Sequence, residues 1–498
     1  MKKKLLINNI ISIIYQIVSV LIGLFLPRLY LQVYGSDVNG LVSSVSQMLS
    51  IISMLDFGVG AVVQSALYKP LSQKNYDEIS NIYSAAKKYF NQIAKILVIY
   101  ICILFFYYGL VKDTGFSLMY TVTLIFSISI STFAQYYFGM CNNLLLNADQ
   151  KIYITSLISL ITIVINAVIV AIFIKFGLGI QVVKLFSSLI FVCKPLLYSL
   201  YVRKNYKITV KKNVSRDVLK QKWHGLAQHL SSVVTNSTDY AVLTVFSNLK
   251  SLSIYNIYVM PLNSIRTLME TVSTSYKSYF GKLYVERKMK ILKEEFRKYE
   301  LTIHFTTVVI FGCIVRVLVP FVLLYTKGVN DANYENYLFS YVITAAYAIY
   351  ALRIPYTSLI VSAGHFKQTQ FYCIVESILN VVISVVGVLK YDLIGVGIGT
   401  CIAVGYRLVS SAYYLSKNII ERNFIVFFKT TCIDILAILV IILFTYPLKI
   451  AEVTLVGWIK YSLLIFFICF FVTSIIYIIF YKRSLNISYI INRRKNNK

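Results

Sequence analysis

Long, uninterrupted apolar segments constrain this chain more than any other feature. Fourteen of them follow one another along 498 residues, with short connections between most of them. A membrane-spanning helix needs about 20 apolar residues, whereas a spanning strand needs about ten residues of alternating polarity. Segments such as 6–30, 38–67, 369–389 and 393–416 are continuously apolar. The sequence therefore predicts an all-α integral membrane protein with about 14 transmembrane helices.

The composition excludes a soluble catalytic domain. Only 14% of the residues are charged and 58% are hydrophobic, whereas a soluble domain carries about 25% charged residues. The longest polar stretches, about 204–222 and 281–299, are too short for a nucleotide-binding or glycosyltransferase domain. The eight cysteines form no C-x-x-C pair, so neither a zinc site nor a disulfide framework is indicated. We predict that the chain is not an enzyme and has no metal or other cofactor.

The basic residues indicate a membrane orientation. Lys and Arg number 49 against 20 Asp and Glu, a net charge of +29 that in a soluble protein would suggest nucleic acid. With the N-terminus inside, few basic residues fall in outer connections: Lys112, Lys175, Lys250, Lys327, Lys390, Lys449 and Lys460. Because positive charge stays on the cytoplasmic side, we predict a plasma membrane protein with both termini cytoplasmic and no nucleic-acid partner.

A weak internal repeat suggests how the helices are grouped. When the chain is displaced by 212 positions, Val33-Tyr34 aligns with Val245-Phe246. The predicted division is an N-terminal lobe of six helices at 1–203, a cytoplasmic linker at 204–222, a second six-helix lobe at 223–417, helices 13 and 14 at 418–481, and a basic cytoplasmic tail at 482–498. Repeats of this kind are typical of transporters, with the substrate site at the repeat interface.

Ionisable residues inside the apolar segments are candidates for function, because charges at membrane depth are costly and usually face a wet cavity. A guanidinium binds a compact oxyanion through two parallel hydrogen bonds. We therefore expect a cationic substrate cavity containing Arg28 and Arg266 first, and Arg353 and Arg316 next. The alternative is that each arginine snorkels or pairs internally; Arg266 and Glu270 are four residues apart and could neutralise each other.

Four buried acids are candidates for ion coupling, namely Asp56, Asp239, Glu270 and Glu376. A carboxyl in a dry site can load a proton near neutral pH, so proton or sodium coupling is expected. A permanent pairing of each acid with a nearby arginine is an equally good interpretation.

The strongest local pattern lies in the first 75 residues. It runs through Leu26-Pro27-Arg28-Leu29-Tyr30, Tyr34-Gly35-Ser36-Asp37-Val38-Asn39-Gly40-Leu41, Asp56-Phe57-Gly58-Val59-Gly60 and Leu67-Tyr68-Lys69-Pro70-Leu71. This pattern resembles the bacterial polysaccharide repeat-unit flippases for O-antigen, capsule and exopolysaccharide. They belong to the multidrug/oligosaccharidyl-lipid/polysaccharide flippase superfamily, and the six, six and two helix layout is similar to theirs. Asp56 stands where several relatives carry other residues, so the motif does not assign its role.

The resemblance implies two pseudo-symmetric six-helix lobes around a V-shaped cavity that helices 1, 2, 7 and 8 line. It implies alternating access that carries a polyprenyl-pyrophosphate-linked oligosaccharide from the inner to the outer leaflet. The expected partners are that lipid-linked substrate, membrane lipids and, during polymer synthesis, a polysaccharide polymerase and glycosyltransferases.

Three alternatives remain open. A multidrug or toxin cation antiporter of the same fold would need an acid-rich cavity, and the net basic interior argues against it. A membrane polysaccharide polymerase would need a sizeable outer loop, which the sequence lacks. A non-transporting scaffold would leave the buried charges unexplained.

Overall fold

The computed structural model describes residues 2–56, 59–209, 226–450 and 453–481, and across them the chain forms helices and no strands. The helices are α1 (Lys2–Ser50), α2 (Val59–Gln73), α3 (Tyr76–Phe106), α4 (Leu118–Ala134), α5 (Met140–Ala148), α6 (Ile152–Lys175), α7 (Ile180–Asn205), α8 (Leu226–Phe246), α9 (Leu249–Val285), α10 (Met289–Tyr325), α11 (Tyr337–Ser362), α12 (Phe366–Asn418), α13 (Ile425–Thr445) and α14 (Leu455–Tyr481). The basic tail from 482, residues 210–222 of the predicted linker and residues 223–225 of the predicted second lobe lie outside the described residues.

The predicted all-α membrane fold is confirmed. Ten helical stretches in the described part of the chain are long and apolar enough to cross a membrane. Two of them, α1 and α12, each contain a break where the backbone leaves the helical region, at Gly35 (φ 81°) and at Asp392 (φ 45°). Each break divides its helix into two membrane-length segments, so the described residues contain twelve. The more polar α8 and α9 bring that number to fourteen.

The break in α1 explains part of the sequence motif. Gly35 adopts a positive φ that other residues rarely adopt. The helix that restarts at Ser36 is capped from a distance, because the Ser36 amide and hydroxyl donate to the Asp331 carboxylate at 2.6 and 2.5 Å. One turn later Gly40 touches the backbone of Leu249, whose carbonyl oxygen would lie 2.0 Å from an added Cβ.

A short 3₁₀ turn, Ile51–Asp56, separates α1 from α2. Backbone carbonyls released by an irregular turn must be satisfied inside a membrane. Two tyrosines of α3 do this before and within the turn, since Tyr100 donates to the carbonyl of Met48 (3.0 Å) and Tyr89 to that of Leu55 (2.6 Å).

The chain divides into two compact units. The first contains Met1–Asn256 with Gly328–Ala332, and the second contains Ile257–Lys327 with Asn333–Lys498. The compact units are defined by contacts between residues, and they place α8 with the N-terminal helices. The predicted lobes are defined by the sequence repeat, and they place α8 in the second lobe. The division into lobes therefore stays a prediction.

Each unit has its own apolar core, and large side chains also cover the outside. In the second unit α10, α13 and α14 pack through Val309, Ile441 and Ile465. On the outer faces of the same helices, Leu443 and Ile479 are 73% and 67% exposed. A surface of exposed aliphatic and aromatic residues of this extent is typical of contact with lipid.

Candidate functional site

In the second unit, the part of α9 from Ile257 onward runs side by side with α11, in the same direction. Asn263 accepts a hydrogen bond from the Tyr347 hydroxyl (2.9 Å), and further along the hydroxyls of Ser273 and Ser358 lie 2.6 Å apart. Near the ends of the two helices, the Tyr284 hydroxyl lies 3.1 Å from His365 Nε2. Side-chain contacts therefore hold the pair together from one end to the other.

Tyr350 gathers the charged residues between these contacts. The guanidinium carbons of Arg353 and Arg266 lie over its ring, 4.2 and 5.0 Å from the ring centroid. Its hydroxyl donates to Glu270 Oε1 at 2.5 Å. Cation–π contacts of this kind attract a guanidinium without neutralising it. The ring therefore holds two cations close together at membrane depth.

A buried carboxylate on α12 extends the cluster. Glu376 accepts a hydrogen bond from Arg353, and its other oxygen lies 3.8 Å from Nε of Arg407. Arg407 also donates to the carbonyl of Thr369 (3.2 Å). All three charged side chains are at most 12% exposed. In the arginine cluster, which we define as Arg266, Glu270, Arg353, Glu376 and Arg407, cations outnumber acids.

A cavity of about 390 Å³ opens beside this cluster, within the range of small-ligand sites. Two charged groups of opposite sign from the cluster, Arg353 and Glu270, reach its wall, and Lys277 adds a second cation. Polar side chains make up nearly all of the rest; the full lining is Thr267, Glu270, Thr271, Ser273, Thr274, Lys277, Tyr350, Arg353, Ile354, Thr357 and Ser358.

The other predicted substrate arginines are placed differently. Arg316 donates to the carbonyls of Tyr446 (3.4 Å) and Leu448 (2.9 Å), at the C-terminal end of α13, and lies outside the arginine cluster. Tyr446 is the cap of that helix end, where a cation is favourable, and Leu448 follows it and also accepts a hydrogen bond from Tyr461. Arg28 lies half-buried in α1, in the first unit. Its substrate role stays a prediction.

The predicted coupling acids fall into both units. In the first, Asp239 accepts a hydrogen bond from Tyr255 (2.6 Å) and Asp56 ends the 3₁₀ turn. In the second, Glu270 and Glu376 belong to the arginine cluster. Arg266 and Glu270 are four residues apart on α9, and a residue from another helix, Tyr350, supplies the short hydrogen bond to Glu270.

Sequence reasoning missed a second polar network in this unit. Asp434 of α13 lies 2.6 Å from His304 Nδ1 and accepts a 2.5 Å hydrogen bond from Tyr477 of α14. The other ring nitrogen of His304 lies 3.1 Å from the hydroxyl of Tyr356. The partners are 130 and 52 residues from His304, so no local spacing could have revealed the network.

One turn earlier on α10, Glu300 is fully buried and forms a double hydrogen bond with Arg422, at 2.7 and 2.5 Å. Arg297 donates to the same carboxylate at 2.7 Å. This contact attaches the connection between α12 and α13 to α10. The two networks together fix α13 and α14 to α10.

No family model and no curated protein matches the chain. Solved structures do. The lipid II flippase MurJ in an inward closed conformation matches with a TM-score of 0.72 at 17% identity, covering 96% of this chain and 100% of that one. An inward-facing multidrug resistance MATE family transporter of the MOP superfamily matches with a TM-score of 0.58 at 13% identity, covering 82% of this chain and 98% of that one.

A third match is a MOP superfamily transporter from Pyrococcus furiosus, described as having a binding pocket of reverse polarity that suggests a different function. It has a TM-score of 0.58 at 15% identity and covers 85% of this chain and 97% of that one. At these identities the similarity establishes a shared fold. The chain is a multi-pass membrane protein with the fold of the MOP superfamily transporters.

Proposed function

We propose that the chain is a transporter that flips a polyprenyl-pyrophosphate-linked oligosaccharide repeat unit from the inner to the outer leaflet of a bacterial plasma membrane. It would act by alternating access and serve capsule or exopolysaccharide synthesis, beside a polymerase and glycosyltransferases. The observation that carries this proposal is the cation-rich arginine cluster beside a polar cavity at membrane depth.

The chemistry of the cavity favours an anionic substrate. Arg353 and Lys277 both line it, and Glu270 already accepts a hydrogen bond from Tyr350. A pyrophosphate offers several acceptor oxygens in a small volume, and a guanidinium can bind two of them at once. A site for an organic cation would instead place unshielded carboxylates on the wall.

The multidrug antiporter is the second candidate, because MATE transporters share the fold. The comparison does not separate the two functions, since fold alone does not imply substrate. The sign of the charge on the cavity wall is what favours the lipid-linked anion over the cation.

Binding of polyprenyl pyrophosphate to the purified full chain in vesicles tests the proposal. Arg353→Gln should weaken binding about tenfold or more, because hydrogen bonds to charged groups contribute about 1.5–3 kcal/mol. Glu376 would keep Arg407 as its partner in this variant. Lys282→Gln, an exposed cation of α9 that faces Glu286, is the matched control and should bind as the wild type does.

A lipophilic cation such as tetraphenylphosphonium serves as the opposing probe. The proposal fails if the wild-type protein binds this cation and not the pyrophosphate lipid. It also fails if Arg353→Gln leaves the affinity for the pyrophosphate lipid unchanged.

A further inference from the structure

The cavity beside the arginine cluster has two chemically different parts. On α9 its lining residues follow a spacing of three or four, from Thr267 to Lys277, which places them on one helix face. Ten residues of helix extend about 15 Å, so α9 contributes an elongated strip of side chains to the cavity wall. The charged groups Arg353 and Lys277 are separated by a stretch of hydroxyl side chains.

Those hydroxyls present acceptor oxygens to the cavity. On α9, Thr267 donates to the carbonyl of Asn263 (2.8 Å), Thr271 to that of Thr267 (2.7 Å), and Thr274 to that of Thr271 (2.7 Å). A hydroxyl has one proton to donate and two lone pairs to accept with. Because each proton is directed at the helix backbone, the lone pairs remain available on the side of the cavity.

The facing helix repeats the arrangement. Thr357 of α11 donates to carbonyls of its own helix, including that of Arg353 at 3.2 Å, and Ser358 shares its hydrogen bond with Ser273. The Glu270 carboxylate, which can only accept when ionised, also lines the wall. The middle of the cavity is therefore rich in acceptors, whereas Lys277 and Arg353 are donors.

An acceptor-rich wall does not suit an ionised phosphate, which has acceptors and no donors. It suits a ligand that carries O–H or N–H donors, and the two cations suit an adjacent anionic group. A sugar joined to a phosphate combines both sets of groups in one molecule.

We propose that this hydroxyl stripe, defined as Thr267, Thr271, Thr274 and Thr357, binds the sugar next to the pyrophosphate of the lipid-linked substrate. This inference rests on the proposed function and adds to it. The chain recognises the first sugar of its substrate through that sugar's hydroxyl groups, in addition to the pyrophosphate.

The test measures binding of the full chain in vesicles to polyprenyl pyrophosphate, bare or carrying glucose, galactose or N-acetylglucosamine. The wild type should bind at least one sugar-bearing lipid more tightly than the bare lipid. The double variant Thr271→Val with Thr274→Val keeps the side-chain shape and removes both acceptors. It should reduce that preference about tenfold while leaving the affinity for the bare lipid unchanged.

Thr302→Val with Thr306→Val is the matched control. In α10, Thr302 is exposed and Thr306 is half-buried. They make the same type of bond, to the carbonyls of Lys298 and Thr302, and lie outside the cavity. The control should keep the sugar preference of the wild type.

The outcomes separate the two proposals. A chain that binds the bare lipid, but prefers none of the sugar-bearing lipids or keeps its preference in the Thr271/Thr274 variant, overturns the sugar site and leaves the proposed function standing. Failure to bind any pyrophosphate lipid overturns the proposed function. Soluble uridine diphosphate glucose carries the same sugar and pyrophosphate without the lipid, and tighter binding of it than of the lipid would overturn the lipid-linked source.

Discussion

At the scale of the residue, Tyr350 is central to the candidate site, because its ring contacts both Arg266 and Arg353 and its hydroxyl binds Glu270. Sequence reasoning selected those three charged residues by their depth in the membrane. It could not select Tyr350, since the chain has 41 tyrosines. The sequence does not distinguish a tyrosine at the membrane interface from one in the core or one in the arginine cluster.

Variants of Tyr350 should separate the ring from the hydroxyl. Tyr350→Phe keeps the aromatic face, so its affinity for polyprenyl pyrophosphate should stay within about threefold of the wild type. Tyr350→Leu removes two cation–π contacts worth about 0.5–2 kcal/mol each and should weaken binding about tenfold or more. Equal affinities for the Leu variant and the wild type, measured in the same vesicle titration, would show that the ring does not position the arginines.

Gly40 illustrates a residue whose role is purely steric. An added Cβ would lie 2.0 Å from the carbonyl oxygen of Leu249, whereas Gly23 on the same helix has open space around it. Overpacking costs about 1–3 kcal/mol, so Gly40→Ala should lower the melting temperature of the detergent-solubilised protein. Gly23→Ala is the control and should not lower it. An unchanged melting temperature in Gly40→Ala would mean that the two backbones can separate without loss.

At the scale of the element, the boundaries of the helices were largely predictable and their lateral contacts were not. The apolar segments 369–389 and 393–416 leave a gap that contains Asp392, where α12 breaks. Periodicity and composition report where a segment leaves the membrane. They contain no information on which helix a buried polar side chain will meet, and so His304 and Asp434 were not recognised as partners.

The attachment of α13 to α10 depends on that pair. Asp434→Ala would leave His304 and Tyr477 without their shared acceptor, and an unsatisfied buried polar group costs about 1–3 kcal/mol. We expect a lower melting temperature and faster proteolysis in the connection after α12. Cys432→Ala, an exposed site on the same helix, is the control. Wild-type stability in Asp434→Ala would show that apolar packing alone holds α13.

At the scale of the whole molecule, the fold was predictable because the requirements of a bilayer leave few choices for an apolar chain. The positions of the candidate substrate arginines were only partly predictable. Arg266 and Arg353 entered one cluster, whereas Arg316 bonds to carbonyls at the end of α13, because sequence depth does not distinguish a cavity from a helix terminus.

The predicted orientation can be tested with single cysteines in a variant that lacks the eight native ones. A membrane-impermeant thiol reagent added to intact cells should label Asn330→Cys, in the connection before α11, and should not label Lys290→Cys, at the start of α10. Both positions are exposed in the structure. The reverse pattern would place the termini on the outer side.

The hydrogen bonds from Ser36 to Asp331, which cap the second half of α1, also affect when the first unit can fold during synthesis. Ser36 and Asp331 are 295 residues apart, and Gly328–Ala332 belongs to the first compact unit. At about 5–20 residues per second, a ribosome needs about 15–60 s after completing Ser36 to supply its cap. Until then the first unit lacks a part, so it cannot reach its final structure as an independent early step of synthesis, and the nascent chain must remain in the membrane through that delay.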